Sequence, residues 1–106
     1  MDTVTDQQFR DANLPDWHKA PNTLHASFEV PDYRAAATFI TAIAEAAESA
    51  VHHPDLSLTY GTLDLTLCSH DDGTVVTQKD LDLAAEISRL AAAQGRSAQH
   101  DATYEI

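Results

Sequence analysis

Apolar and polar residues alternate in two stretches of the chain. From Thr23 to Val30, Leu24, Ala26, Phe28 and Val30 fall on one side and His25, Ser27 and Glu29 on the other. From Thr62 to Ser69, Leu63, Leu65 and Leu67 oppose Thr62, Asp64, Thr66 and Cys68. A period of two describes a strand with one buried face. Trp17-His18-Lys19 begins an extended segment ahead of the first run, and Pro21-Asn22 supplies turn chemistry, so the two form a hairpin. Ser57 to Tyr60 reads as a short strand, and Gly61 as the bend into the second run.

Between these runs the period changes to that of a helix. Pro31-Asp32 breaks the strand, Asp32 is a good N-cap, and a helix is expected from about Tyr33 to about His52. Its apolar stripe is Ala36, Phe39, Ile40, Ile43, Ala47 and Val51. A second long helix is expected from about Gln78 to Ala93, with Leu83, Ala84, Ile87, Leu90 and Ala91 inward. Thr77 is its N-cap, Asp80 has capping-box spacing, and Gly95 suits the position just past its end. A short helix near the N-terminus starts at Thr5, with Gln8 at capping-box spacing and Phe9 and Ala12 as a small stripe; Asn13-Leu14-Pro15 stops it. The order helix, two strands, helix, two strands, helix predicts an α+β fold: a four-stranded, mostly antiparallel sheet with three helices packed on one face. The other face, carrying His25, Thr66 and Cys68, is left for solvent, ligand or a second subunit. Residues 1–95 form one domain on this reading. The stretch 96–106 is expected to be a mobile tail in which Tyr104 and Ile106 could dock.

The chain has 106 residues, the size of a single core. Seventeen acidic residues against six basic give a formal net charge of −11, which disfavours direct contact with nucleic acid or an anionic membrane. No stretch approaches the roughly 20 apolar residues of a membrane span, and the N-terminus lacks the pattern of a signal peptide. Cys68 is the only cysteine, so an intrachain disulfide is impossible and a reducing, cytoplasmic setting is the natural expectation.

The candidate chemistry lies at the exit of the first long helix, in Glu48-Ser49-Ala50-Val51-His52-His53-Pro54-Asp55. Proline disfavours helical dihedrals in the residue before it, so the helix ends near His53. Neighbouring helical residues point about 100° apart, so His52 and His53 cannot both enter the core. At least one lines a surface or cleft, where an imidazole can give and take protons near neutral pH. If the second alternating run continues, His70 shares its polar face.

Together these residues resemble the pterin-4a-carbinolamine dehydratases. The shared pattern is an acidic residue (Glu48), His52-His53-Pro54, an aromatic (Tyr60), a further histidine (His70) and an aspartate opening the last helix (Asp80), with Trp17 at the start of the first strand. The resemblance spans about Phe9 to Ala93 and includes the element order. It implies an enzyme that removes water from a 4a-hydroxytetrahydropterin to give quinonoid dihydropterin, in pterin cofactor recycling. It places His52, His53 and His70 at the catalytic site, with His52 and His70 as the acid–base pair and His53 mainly orienting the substrate. Glu48, Pro54, Asp55, Tyr60 and Asp80 are implied as substrate-binding; Asp80 could orient His70 or touch the pterin, and Glu48 could hold a histidine or the ring. No cofactor and no metal are implied, and the partners are the pterin and further copies of the chain in a homodimer or homotetramer.

Two other readings stand beside it. Leu56 replaces a common tryptophan, and Gly73-Thr74-Val75 replaces a common Gly-Gly-Leu; both suit a catalytically silent relative acting as an interaction or assembly module. A metal site built from His52, His70 and Asp71 is the third, although adjacent histidines are awkward joint ligands and no short zinc motif is present.

Overall fold

The computed structural model describes residues 3–70 and 73–99. The elements are α1 (Asp6–Asp11), β1 (His18–Lys19), β2 (Leu24–Glu29), α2 (Tyr33–Ala50), β3 (Asp55–Thr59), β4 (Thr62–Leu67), β5 (Ser69–His70), β6 (Thr74–Val75) and α3 (Gln78–Ala93). β1 to β4 form an antiparallel sheet in the order β1-β2-β4-β3, while β5 and β6 make a separate two-stranded ribbon. The α+β architecture expected from the alternating and helical periods is the one observed.

Register follows from the burial of one face. Leu24, Ala26 and Phe28 of β2 lie opposite Leu67, Leu65 and Leu63 of β4, and all six are buried against the helices. A slip of one residue would turn the whole apolar set to water. Ala36, Phe39, Ile43 and Ala47 of α2 and Leu83, Ala84, Ile87 and Ala91 of α3 complete the core. The Phe28 and Phe39 rings meet edge to face with centroids 5.4 Å apart. Trp17 is buried and donates its indole N–H to Ser88 Oγ at 3.0 Å, tying the entry to β1 onto α3. At α1, the Thr5 N–H donates to Gln8 Oε1 and the Gln8 N–H to Thr5 Oγ1, the reciprocal cap its sequence predicts.

Four differences from the sequence reading have physical causes. First, α2 ends at Ala50 rather than near His52. Val51 adopts a left-handed conformation (φ 51°, ψ 45°), its N–H reaches Glu48 O, and the His52 N–H reaches Ala47 O. This is a Schellman turn with valine where glycine is usual. Val51 therefore leaves the apolar stripe and is 80% exposed. Second, β3 runs Asp55–Thr59, two residues ahead of the expected start, because the turned-out helix end leads straight into the edge of the sheet. Third, the second alternating run splits at Cys68: Ser69 and His70 leave the sheet and pair with Val75 and Thr74. Fourth, the start of the expected tail is held in place. The Glu29 N–H donates to Ser97 O and the Gln99 N–H to Ser27 O, which fills the edge of β2 that the two-residue β1 leaves open. Tyr104 and Ile106 lie outside the described residues.

Among the described residues no helix is long and apolar enough to cross a membrane.

Candidate active site

The left-handed turn at Val51 decides where the two adjacent histidines go. It reverses the chain after the last turn of α2, so His52 swings in toward α3 and His53 stays at the surface. The His52 side chain is 12% exposed, and its Nε2 lies 2.5 Å from Asp80 Oδ1. The His53 Nε2 lies 2.5 Å from Glu48 Oε2 one turn back on α2, in an exposed pair. An ionised carboxylate only accepts hydrogen bonds, so each ring donates from Nε2. In either neutral ring Nδ1 is then the nitrogen left to accept a proton.

Asp80 is wholly buried, at 0% exposure, on the first turn of α3. Its Oδ2 accepts from the Thr77 N–H at 2.8 Å and from Ser69 Oγ at 2.9 Å. Ser69 Oγ also lies 2.8 Å from Thr77 Oγ1. A buried carboxylate is tolerated where several donors satisfy it, and here both oxygens are engaged. The capping-box spacing of Thr77 and Asp80, visible in the sequence, thus serves two purposes: it opens α3 and it presents a carboxylate to His52. Asp80 meets His52, and it has no exposed surface of its own.

His70 reaches the same region from the ribbon. The alternation of β4 carries through its break, so Ser69 is buried and His70 is exposed. His52, His53 and His70 line one cavity of about 500 Å³ together with Val51, Asp55, Thr66, Cys68, Ser69 and Lys79. That volume is within the ordinary range for a small-molecule site. His70 Nε2 is 3.9 Å from Cys68 Sγ. Burial, reinforced by the negative charges of Asp80 and Asp55, pushes the Cys68 thiol above its usual range, so it stays protonated at neutral pH and is a poor nucleophile.

Of the residues the sequence singled out, the cavity collects His52, His53, His70 and Asp55, with Asp80 directly behind His52. Glu48 and Pro54 lie on the far side of His53, in a smaller apolar hollow with Ile43, Ala47 and Leu56. Tyr60 is elsewhere: it follows the far end of β3, is 93% exposed, and lines a separate hollow with Pro31, Tyr33 and Leu58. The five residues of β3, Asp55–Thr59, carry it roughly 17 Å from the start of that strand. Sequence reasoning passed over Thr66, Ser69 and Lys79 as site residues. Thr66 shares the polar face of β4 and Lys79 sits beside the predicted Asp80, so both had a signal; Ser69 had none. Asp71 lies outside the described residues. Among the described residues no group of three or more His, Cys, Asp or Glu side chains is arranged to hold a metal ion.

Comparison with known proteins places this geometry in context. Residues 2–90 match the family model described as pterin 4 alpha carbinolamine dehydratase. A relative from Thermosynechococcus vestitus, named as a provisional pterin-4-alpha-carbinolamine dehydratase, is 41% identical over 80 residues, covering 76% of this chain and 83% of its own. One from Nocardia farcinica with the same name is 36% identical over 90 residues, covering 83% of this chain and 94% of its own. Among solved structures, a transcriptional coactivator/pterin dehydratase from Brucella melitensis superposes with a TM-score of 0.77 at 28% identity, covering 85% of this chain and 99% of that one. A pterin dehydratase-like protein described as a RuBisCO assembly factor of the alpha-carboxysome shares the fold, with a TM-score of 0.57 at 22% identity over 71% of this chain and 86% of that one. A family match over residues 2–90, with a relative 41% identical over 76% of this chain, shows that the chain belongs to the pterin 4 alpha carbinolamine dehydratase family.

Proposed function

We propose that the protein dehydrates a 4a-hydroxytetrahydropterin by histidine acid–base catalysis. The observation that carries this reading is the convergence of His52, His53 and His70 on one cavity, with His52 held by the buried Asp80. The reaction breaks the C4a–O bond and removes the N5 proton, so that a C4a=N5 double bond forms and water leaves. Hydroxide is a poor leaving group, so its oxygen must receive a proton as the bond breaks, while N5 must surrender one. His52 is the base: its Nε2–H is committed to Asp80, and Nδ1 can take the N5 proton. His70, on the ribbon across the cavity mouth, is the acid that protonates the departing oxygen. His53, held by Glu48 behind it, orients the ring from the exposed rim, and Asp55 offers a carboxylate for the amino-pyrimidine edge. Water returns the proton from His52 to solvent and recharges His70. Neither step calls for a metal or a cofactor.

A coupled assay with chemically generated 4a-hydroxytetrahydropterin tests the reading: the protein should accelerate formation of the quinonoid product, and His52→Ala and His70→Ala should each remove most of that acceleration. A rate equal to the uncatalysed one would favour the second reading, an interaction or assembly module. That alternative has its own support. Val51, Leu56 and Tyr60 expose apolar surface near both ends of β3, whose outer edge has no strand beside it among the described residues, and the carboxysomal neighbour with this fold is described as an assembly factor.

A further inference from the structure

We infer that Ser69 is a positioning residue that couples the two histidines of the proposed acid–base pair. The inference rests on the dehydratase reading for its kinetic consequence, but its structural part stands alone. Ser69 immediately precedes His70 in β5, and its hydroxyl donates to Asp80 Oδ2 at 2.9 Å. Because Asp80 accepts the one Ser69 proton, the 2.8 Å contact between Ser69 Oγ and Thr77 Oγ1 is donated by Thr77. A continuous chain results: Thr77 O–H to Ser69, Ser69 O–H to Asp80, and Asp80 receiving the His52 Nε2–H at 2.5 Å. Ser69, Thr77 and Asp80 are all buried, so no bulk water competes for these bonds.

The arrangement constrains rotation. Asp80 Oδ1 faces His52, while Oδ2 is pinned by two donors, the Thr77 N–H and the Ser69 hydroxyl. With one of the two gone, the carboxylate can turn about its last bond, and the partner of His52 turns with it. The ribbon is affected in the same act, because the Ser69 hydroxyl ties β5, and with it His70, to Thr77 and Asp80 at the start of α3, beside the pairing of β5 with β6. Polarised chains of this kind strengthen their members. Ser69 therefore sets where His52 and His70 stand relative to each other, although it need not touch the substrate.

The test uses the full-length protein, with nitrogen-15 labelling of histidine. In the parent, the His52 Nε2–H should give a downfield proton signal that exchanges slowly with water. Ser69→Ala should speed that exchange by roughly 10-fold or more with the amide spectrum otherwise preserved, and Ser69→Thr, which keeps the hydroxyl, should restore it. If Ser69→Ala fails to fold, Ser69→Cys, close in volume and a weak donor, gives the same reading. Wild-type exchange in the Ala or Cys variant overturns the inference. These signals need no turnover, so they hold or fail independently of the dehydratase reading. On a substrate that the parent turns over, Ser69→Ala should lower kcat roughly 10- to 100-fold, the scale of one hydrogen bond to a charged group, and leave KM near its parent value. A fall in melting temperature without change in the His52 signal or in kcat would make Ser69 a structural residue only and would contradict the proposal.

Discussion

His52 and Asp80 are 28 residues apart in the chain and 2.5 Å apart in space, a largely buried imidazole just past one helix exit joined to a fully buried carboxylate on the first turn of another helix. Everything else in the candidate site is arranged around that pair. Asp80→Asn keeps the shape but makes the partner of His52 an amide that can also donate, so the ring can be held in the wrong tautomer. Turnover should fall by roughly 10²-fold or more, within the usual contribution of a positioned acid or base, while the circular dichroism spectrum stays that of the parent. Asp80→Ala should also destabilise the fold, because the Thr77 N–H and the His52 Nε2–H lose their acceptor at about 1–3 kcal/mol each when buried. Denaturant unfolding of the two variants separates these effects.

Val51 offers a test of the turn itself. A β-branched residue in the left-handed region costs on the order of 1–3 kcal/mol, and 80% of Val51 is exposed, so little apolar burial opposes its removal. Val51→Gly should raise the melting temperature by a few degrees and leave the His52 orientation intact. A lower melting temperature would show that the conformation at Val51 is not strained.

The open sheet face predicts a pH dependence. Burial, together with the neighbouring His18, holds His25 below its ordinary value of 6.5, while Thr23 and Thr66 hydrogen-bond its ring. A depressed histidine binds more protons when the chain unfolds, so stability rises with pH there. The contribution is complete above about 6.5 and is lost as pH falls from there through the folded-state value. His25→Gln should flatten the slope of melting temperature against pH below 6.5. An unchanged slope would assign it to other groups.

The fold was largely legible from the two periodicities, because burial of one face dictates which residues alternate and at what spacing. Leu63, Leu65 and Leu67 against Thr62, Asp64 and Thr66 sufficed for β4 and its buried face, while its pairing partners came only from the fold. The site was legible where it coincided with local grammar: His52-His53-Pro54 at a helix exit, and Thr77 with Asp80 at a helix start. What stayed hidden was long-range. Nothing local says that Asp80 meets His52 rather than His70, or that Ser69, which reads as the last residue of a strand, lies on the carboxylate. Tyr60 shows the converse, since a motif position says nothing about distance when five extended residues intervene. Val51 broke the helical stripe because the Schellman turn overrode its apolar preference.

Assembly is a further expectation. β3 is an outer strand of the sheet with Leu56 43% exposed, and a domain of this size with an open edge favours a partner. A homodimer or homotetramer is expected, tightening with salt as the net charge of −11 is screened. Light scattering across a dilution series at two ionic strengths checks this; monomer mass at micromolar concentration in moderate salt would contradict it.

The most direct test is the dehydration itself. Chemically generated 4a-hydroxytetrahydropterin is mixed with the parent, His52→Ala and His70→Ala, each in chelator-treated buffer, and quinonoid product is followed by absorbance. The parent should catalyse the reaction, and each variant should lose about 10²–10⁴-fold in rate, the contribution of one positioned acid or base, with its fold unchanged. Parent turnover that both variants retain in full, or that only added zinc supports, would contradict histidine acid–base catalysis.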